Sequence, residues 1–288
     1  MLDLCNPTQM KALLAEYGFH FSKAKGQNFL TAPWVPQRIA EQAGVDEAAG
    51  VLEIGPGIGP LTQQLCLRAG RVTAVELDRS LAPILERTVG GFDNLEILFD
   101  DVMKLDLEAL VQSRFAGLRP MACANLPYYI TSPILSLLLE SRLFDSVTVM
   151  IQKEVAQRIC AGPGSRDYSA FTVFCNFYAV PCILFDVPPS CFLPQPKVTS
   201  TVISLKRRSA PPCEVADEAL FYRVVRAGFG QRRKTLLNAL LSGFSALPRQ
   251  ELQEIILACG LEPSVRAETL SIPQFAALAN ALAGRADR

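Results

Sequence analysis

A short apolar run that leads directly into three closely spaced glycines limits what this chain can fold into. Residues 51–54 (Val-Leu-Glu-Ile) are typical of a buried parallel strand, and Gly55, Gly57 and Gly59 follow at alternate positions. Glycine allows the backbone to turn tightly and to approach a ligand closely. The pattern predicts either a binding turn at the end of the first strand or a simple strand-to-helix turn.

The alternation of strand and helix patterns continues along the chain. Further apolar runs predict strands at 72–77, 95–99, 121–124 and 147–151. Helical patterns lie between them, at 61–69, 81–88 and 133–139. Strands that alternate with helices indicate an α/β fold, with a mostly parallel sheet covered by helices on both faces.

The second half of the chain has a different pattern. Two more apolar runs predict strands at 170–179 and 201–205, separated by the proline-rich stretch 187–196. A basic run and two prolines then form a linker candidate over 206–213, and the remaining segments are helical, near 217–229, 231–242, 249–259 and 272–283. We expect an α/β domain over residues 1–208 and a small all-helical domain over 209–288.

Two carboxylates follow the next predicted strands. Glu76 lies 21 residues after Gly55, where a carboxylate can accept both hydrogen bonds from a ribose diol. Asp101 follows the third strand and can accept from the amine of an adenine, although Asp100 is an adjacent alternative. The glycine spacing differs from the Gly-x-Gly-x-x-Gly of dinucleotide enzymes, which favours a ligand without phosphates. We therefore predict S-adenosylmethionine at the carboxyl ends of the strands.

The fourth predicted strand ends in Asn125-Leu126-Pro127-Tyr128. The side-chain oxygen of Asn125 and the backbone carbonyl of Leu126 can accept from the exocyclic amine of an adenine, Pro127 would stiffen the loop, and Tyr128 would stack on the base. Phe192 is a candidate for the opposite wall, or it packs beneath its own proline-rich loop. An ordinary turn is the alternative, because Asn and Pro are common in turns. Beside a methyl donor, the motif predicts methylation of adenine.

The sequence contains a single histidine, His20, for which we expect a structural role. A hydrolase or a histidine-based acid–base mechanism is therefore disfavoured. Methyl transfer to an amine needs no general base, because the amine becomes strongly acidic once it is methylated. The nine cysteines include no Cys-x-x-Cys pair, so we expect no metal site.

Charge and composition bear on partners and location. The formal net charge is zero, but residues 206–234 hold eight basic and three acidic residues, a local charge of +5. This segment is either a phosphate-binding face or a solvated helix surface. No apolar run reaches the ~18–20 residues that span a bilayer, the first residues lack a signal-peptide pattern, and an odd number of cysteines suits a reducing compartment. We expect a cytoplasmic protein without membrane contact.

Together these motifs closely resemble those of the rRNA adenine N6-dimethyltransferase family over nearly the whole chain. The matching segments are 25–30 (Lys-Gly-Gln-Asn-Phe-Leu), 53–59 (Glu-Ile-Gly-Pro-Gly-Ile-Gly), 75–78 (Val-Glu-Leu-Asp), 101–102 (Asp-Val), 125–129 (Asn-Leu-Pro-Tyr-Tyr), 152–156 (Gln-Lys-Glu-Val-Ala), 192–198 (Phe-Leu-Pro-Gln-Pro-Lys-Val) and 229–236 (Phe-Gly-Gln-Arg-Arg-Lys-Thr-Leu). The resemblance implies a Rossmann-like S-adenosylmethionine-dependent methyltransferase domain followed by a small all-helical domain that binds RNA.

The resemblance also implies which residues form the sites. It places cofactor contacts at Asn28, Leu30, Gly55, Glu76, Asp101 and Asn125, to which the glycine turn adds Gly57. The catalytic candidates are Asn125, Leu126, Pro127, Tyr128 and Phe192. The RNA-binding candidates are Arg232, Arg233 and Lys234.

Within the family, the motifs are most similar to those of bacterial enzymes that dimethylate two adjacent adenosines near the 3′ end of 16S rRNA in the assembling small ribosomal subunit. The segment 229–236 favours this substrate over 23S rRNA, the target of the dimethyltransferases of macrolide resistance. A non-catalytic assembly factor and a DNA adenine methyltransferase remain alternatives. The neutral net charge departs from the family, whose members are often basic. Nothing in the sequence requires a second subunit, and we expect a monomer.

Overall fold

The computed structural model describes residues 3–19, 26–283 and 285, so His20 and Lys25 lie outside the described residues. By its internal contacts the chain divides into two compact units. The first comprises Met1–Ala156 and Val180–Arg207, and the second comprises Gln157–Ala179 and Arg208–Arg288.

A seven-stranded sheet forms the centre of the first unit. The strands along the chain are β1 (Phe29–Leu30), β2 (Ala49–Ile54), β3 (Arg71–Val75), β4 (Leu95–Leu98), β5 (Arg119–Asn125), β6 (Ser146–Gln152), β7 (Ala179–Val187), β8 (Phe192–Leu193) and β9 (Ser200–Arg207). The order across the sheet is β4-β3-β2-β5-β6-β9-β7, and β1 pairs separately with β8. The five strands from β4 to β6 are parallel, whereas β9 runs antiparallel to β6. This architecture confirms the predicted α/β fold.

The middle of this sheet creates a place for a ligand. All six residues of β2 are buried, as expected for a central parallel strand covered on both faces. From β2 the chain passes to β3 on one side, and β5 later pairs with β2 on the other side. Such a reversal of strand order opens a crevice outside the carboxyl ends of the strands, where ligands bind in open α/β sheets.

Helices of the first unit pack on the sheet through two clusters of buried side chains. The helices are α1 (Pro7–Glu16), α2 (Trp34–Gln42), α3 (Pro60–Cys66), α4 (Ala82–Val89), α5 (Leu107–Arg114) and α6 (Thr131–Ser141), and α7 (Lys153–Ile159) crosses into the second unit. One cluster joins Ile39 and Leu65 to the central strands, and the other joins Met10 and Ile84 to Phe29. No helix among the described residues is long and apolar enough to cross a bilayer.

The second unit is helical in its described part. Its helices are α8 (Ala170–Tyr178), α9 (Glu218–Gly230), α10 (Leu236–Gly243), α11 (Arg249–Ala258) and α12 (Ile272–Leu282). The helix α9 packs against α8, α10 and α12. Phe177 of α8 and Phe221 of α9 are both buried, with ring centroids 5.1 Å apart. The close approach of α9 and α10 requires a small residue, since a Cβ on Gly243 would lie 2.4 Å from the Cβ of Ala227.

The prediction of a strand at 170–179 is wrong, because these residues form the helix α8. A capping box explains the difference: the Ser169 side chain accepts from the Thr172 backbone, and the Thr172 side chain accepts from the Ser169 backbone. Short apolar runs do not distinguish a buried helix from a strand. The contacts also group 157–179 with the helices of the second unit, whereas the expected division after residue 208 placed this segment in the first domain.

Candidate active site

The glycine turn leaves part of the backbone uncovered at the carboxyl ends of the central strands. Gly55, Gly57 and Gly59 have φ angles of 69°, 61° and 95°, which glycine adopts without steric cost. A Cβ on Gly55 would stand in open space, and this residue lines a cleft. A Cβ on Gly59 would lie 2.7 Å from Val89 Cγ1, so this glycine is needed for packing.

Glu76 lines the cleft directly after β3, and its carboxylate is buried. One carboxylate oxygen accepts from the backbone of Gly57 at 3.2 Å, and the other accepts from the backbone of Asp78 at 2.8 Å. Burial raises the pKa of Glu76, and these hydrogen bonds oppose that rise. Each carboxylate oxygen has two lone pairs, so Glu76 can still accept from both hydroxyls of a ribose.

Asp100 and Asp101 both line the cleft after β4, but their environments differ. The Asp101 side chain caps a short 3₁₀ turn by accepting from the backbone of Met103 at 3.0 Å. The Asp100 side chain is exposed and accepts from the backbone of Asp101 at 2.7 Å. Asp101 is therefore held in place by the turn that it caps and by Lys104 at 3.7 Å, whereas Asp100 is the more exposed of the two.

Residues 26–30, which comprise the loop before β1 and β1 itself, line the same cleft. Gln27 donates from its side chain to Asp78 at 2.9 Å, and the Asn28 side chain donates to the Gly26 carbonyl at 3.1 Å. Leu30 is buried and pairs with Phe192 across the β1–β8 ladder. The sequence alone indicated only a polar loop here, and the role of Asn28 and Leu30 came from the family resemblance.

The fourth strand of the prediction is β5, and it ends at Asn125 as expected. The Asn125 amide nitrogen donates to the Asn28 carbonyl at 3.4 Å, so the amide oxygen remains available as an acceptor. Leu126 donates its backbone N–H to Met150 at 3.2 Å, and its own carbonyl accepts no hydrogen bond from the described residues. The Pro127 carbonyl, in contrast, accepts from the backbone of Ile130 at 3.2 Å. Two neighbouring acceptors are therefore free at the cleft.

Four aromatic side chains line the cleft, and two of them, Tyr128 and Phe192, are the predicted walls for a base. Tyr128 is half-buried, and its hydroxyl lies 2.7 Å from the hydroxyl of Ser200. Burial raises the pKa of Tyr128, and the hydrogen bond with Ser200 opposes the rise. Phe192 is 3% exposed and belongs to the core cluster that includes Leu30, while it also lines the cleft. Phe192 thus packs beneath its loop, and its role as the opposite wall stays a prediction.

Sequence reasoning gave no role to Glu53, which lies at the end of β2 and lines the cleft. It is 1% exposed, and its Oε2 atom has no hydrogen-bond partner in the part of the chain that the structure describes. Burial raises its pKa from 4.5 to about 8. A carboxyl group in an otherwise apolar buried strand is the signal that could have marked it.

The basic candidates lie in the second unit, in a turn before α10 and not in the helix predicted over 231–242. Arg232 donates to the Arg166 carbonyl at 2.7 Å and pairs with Glu268 at 3.3 Å. Arg233 and Lys234 are exposed and form no ion pair with any described residue. The three candidates therefore differ. Arg232 is engaged in contacts within the second unit, whereas the charges of Arg233 and Lys234 are not paired with any described residue.

The cleft has the groups that a sulfonium nucleoside with an amino-acid tail requires. The open backbone at Gly55, the carboxylates of Glu76 and Asp101, and the unpartnered oxygen of Glu53 fit S-adenosylmethionine. Within the described ranges, no group of three or more His, Cys, Asp or Glu side chains is arranged to hold a metal ion.

Comparison with known proteins assigns the chain to a family. The family model described as "Ribosomal RNA adenine dimethylase" matches residues 18–284. A protein of Alkaliphilus oremlandii named "Ribosomal RNA small subunit methyltransferase A" is 46% identical over 97% of this chain and 98% of its own length. A relative of the same name from Listeria welshimeri is also 46% identical, over 98% of this chain and 97% of its own.

Solved structures agree with this assignment. A dimethyladenosine transferase from Plasmodium falciparum superposes with a TM-score of 0.73 at 26% identity, covering 87% of this chain and 95% of that one. The 23S rRNA methyltransferase ErmE superposes with a TM-score of 0.66 at 27% identity, covering 88% of this chain and 99% of that one. The chain belongs to the ribosomal RNA adenine dimethylase family and is an S-adenosylmethionine-dependent enzyme that methylates adenine in ribosomal RNA.

Proposed function

We propose that this enzyme transfers methyl groups to the N6 amines of two adjacent adenosines near the 3′ end of 16S rRNA, giving N6,N6-dimethyladenosines. The observation that carries the proposal is the pair of free acceptors at Asn125 and Leu126, beside a cleft that fits S-adenosylmethionine. The names of relatives that match nearly the whole chain support the small ribosomal subunit as the source of the substrate.

Cofactor binding is assigned to residues that line the cleft. Glu76 would hold the ribose diol, and Asp101 the adenine amine. The remaining contacts are assigned to Asn28, Leu30, Gly55, Gly57 and Asn125. When bound, S-adenosylmethionine supplies a methyl group that its sulfonium charge already activates. The residues of the chain therefore have to orient the acceptor and exclude water, and they need not activate the donor.

The target amine is a poor nucleophile because its lone pair is delocalised into the purine ring. In our proposal, its two N–H bonds donate to the Asn125 side-chain oxygen and the Leu126 carbonyl. This arrangement favours a more pyramidal nitrogen and directs the lone pair at the methyl group. The product cation is strongly acidic and loses its proton to solvent, so a second methyl group can follow at the same nitrogen. Pro127 keeps the two acceptors at a fixed spacing.

The adenine must leave its stack to reach the cleft, which costs a few kcal/mol. Stacking on an aromatic side chain returns roughly 1–3 kcal/mol per base. We assign this role to Tyr128 on one face and to Phe192 on the other, since both line the cleft. In the second unit, Arg233 and Lys234 would contact RNA phosphates, with Arg232 supporting the turn that carries them.

The proposed substrate is an assembling small subunit in the cytoplasm, and the proposed active form is a monomer. The test incubates the protein with labelled S-adenosylmethionine and, in separate reactions, small-subunit particles, 23S rRNA and duplex DNA. We expect N6,N6-dimethyladenosine at two adjacent positions of 16S rRNA, located by mass spectrometry of nuclease fragments. Sedimentation of the active protein tests the monomer.

The similarity to ErmE makes 23S rRNA the second candidate substrate. Dimethyladenosine in the 23S reaction alone would replace the proposal with this one. Binding to small-subunit particles without transfer to any of the three substrates would instead indicate a non-catalytic assembly factor.

A further inference from the structure

The hydroxyl of Tyr128 is held by a residue that no sequence motif marked. Tyr128 Oη and Ser200 Oγ are 2.7 Å apart, although 72 residues separate them in the chain. Ser200 is 0% exposed at the start of β9. Deletion of either hydroxyl would remove the same hydrogen bond, and the buried serine has no access to water as a replacement partner.

The end of β9 that carries Ser200 is fixed by its neighbours. Ser200 is paired with Gln152 of β6 in the antiparallel ladder. The next residue, Thr201, donates its hydroxyl to Asp186 at 2.6 Å, and Lys153 lies 2.5 Å from the other oxygen of the same carboxylate. The hydrogen bond from Lys153 is the main cause of the lowered pKa of Asp186. Ser200 is therefore a rigid point beside the catalytic loop.

We propose that Ser200 is a positioning residue for methyl transfer: its hydroxyl fixes the direction in which the Tyr128 ring extends from the backbone, and the ring fixes the target adenine. The inference rests on the proposed stacking role of Tyr128. A tyrosine held at both its backbone and its hydroxyl cannot swing about its Cα–Cβ bond, so the ring axis keeps its direction. A misplacement of about 1 Å can reduce a rate ~100-fold, so the position of the ring matters for aligning the amine with its acceptors.

These contacts also give a role to residues in or near the family motifs that have no part in the proposed binding of the cofactor or the base. Lys153 belongs to the segment 152–156, and Ser200 follows closely after the segment 192–198. Through Asp186 and Thr201, these contacts connect the start of α7 with β7 and with the end of β9 that carries Ser200.

A double-mutant cycle tests the inference. The variants are Ser200→Ala, Tyr128→Phe and their combination, each assayed for kcat and KM with small-subunit RNA, for cofactor Kd by calorimetry, and for Tm. Ser204→Ala is the matched control, because it makes the same chemical change on the same strand, opposite Thr148. We expect each single variant to lower kcat about tenfold with cofactor Kd unchanged, and the double variant to be no slower than either.

Two results would overturn the inference. One is a Ser200→Ala enzyme with the kcat of the Ser204→Ala control, and the other is a double variant whose loss equals the product of the two single losses. Where Ser200→Ala lowers Tm, Tyr128→Phe deletes the same bond without altering β9, and its kcat decides. A wild-type enzyme that methylates no RNA overturns the proposed function and, with it, this inference.

Discussion

Asn125 takes its orientation from the backbone of a loop 97 residues earlier in the chain. Its amide nitrogen donates to the carbonyl of Asn28, and the side chain of Asn28 donates in turn to the carbonyl of Gly26. Because one end of the Asn125 amide is engaged in this way, the oxygen end is the one left for a substrate amine. The loop 26–28 and the end of β5 are thus coupled through single side chains.

Replacement of Asn125 by alanine should strongly reduce the reaction rate without unfolding the protein. The variant loses one of two acceptors for the adenine amine, and we expect kcat to fall by about 10²–10³, as when one oriented hydrogen-bond partner is removed from other active sites. RNA affinity and Tm should change little. Transfer of labelled methyl groups is the measurement, and Asn125→Asp, which keeps an oxygen acceptor, should retain more activity. Wild-type kcat in the alanine variant would contradict the role of Asn125.

Glu53 should make the free protein less stable as pH rises. Its pKa is raised from 4.5 to about 8, mainly by burial. Between these values the unfolded chain loses the proton while the folded protein keeps it, so the free energy of unfolding falls with increasing pH. Glu53→Gln does not ionise, and its Tm relative to wild type should therefore rise between pH 5 and pH 8. The exposed Glu47→Gln measures the general effect of replacing a carboxylate, and a Tm difference that is constant with pH would contradict the prediction.

At the scale of elements, the order of strands along the chain predicted which residues meet at the cleft, because the carboxyl ends of parallel strands lie at one edge of a sheet. Gly55, Glu76, Asp101 and Asn125 each follow or end a strand, and the structure brings all four to one cleft. The partner of Tyr128 could not be found in this way. It depends on β9 lying antiparallel beside β6, and this arrangement depends on packing between segments far apart in the sequence. The apolar run of α8 is compatible with a strand or a helix, and the capping box of Ser169 and Thr172 is what starts a helix there.

The contact between α9 and α10 gives a prediction about the second unit. A Cβ on Gly243 would lie 2.4 Å from the Cβ of Ala227, so Gly243→Ala must push the two helices apart. We expect a loss of about 1–3 kcal/mol in the free energy of unfolding, measured by urea denaturation. Gly230→Ala is the control, because that glycine also ends a helix and a Cβ there meets nothing within 4 Å. Equal stability of the two variants would argue against close packing at Gly243.

At the scale of the whole molecule, zero net charge leaves little long-range attraction for RNA, so local charge has to provide it. The basic segment 206–234 was predicted as one phosphate-binding face or one solvated surface. The described contacts show that its basic residues differ in their interactions. Arg232 donates to the Arg166 carbonyl and pairs with Glu268, whereas Arg233 and Lys234 are exposed. Such a difference depends on which carbonyl and carboxylate lie nearby, and the order of residues alone does not reveal it.

Salt dependence of RNA binding tests this difference. Two phosphate contacts release counterions that contribute about 1.4–1.8 to the slope of log K against log salt, so Arg233→Ala/Lys234→Ala should reduce the slope by roughly that amount and leave Tm unchanged. Arg232→Ala should lower Tm, because it removes the hydrogen bond to the Arg166 carbonyl and leaves Glu268 with only Arg266, at 3.9 Å. Lys11→Ala/Arg87→Ala removes two exposed charges from the first unit and is the charge-matched control. If both double variants changed the slope equally, the effect would come from overall charge, and Arg233 and Lys234 would not be specific phosphate contacts.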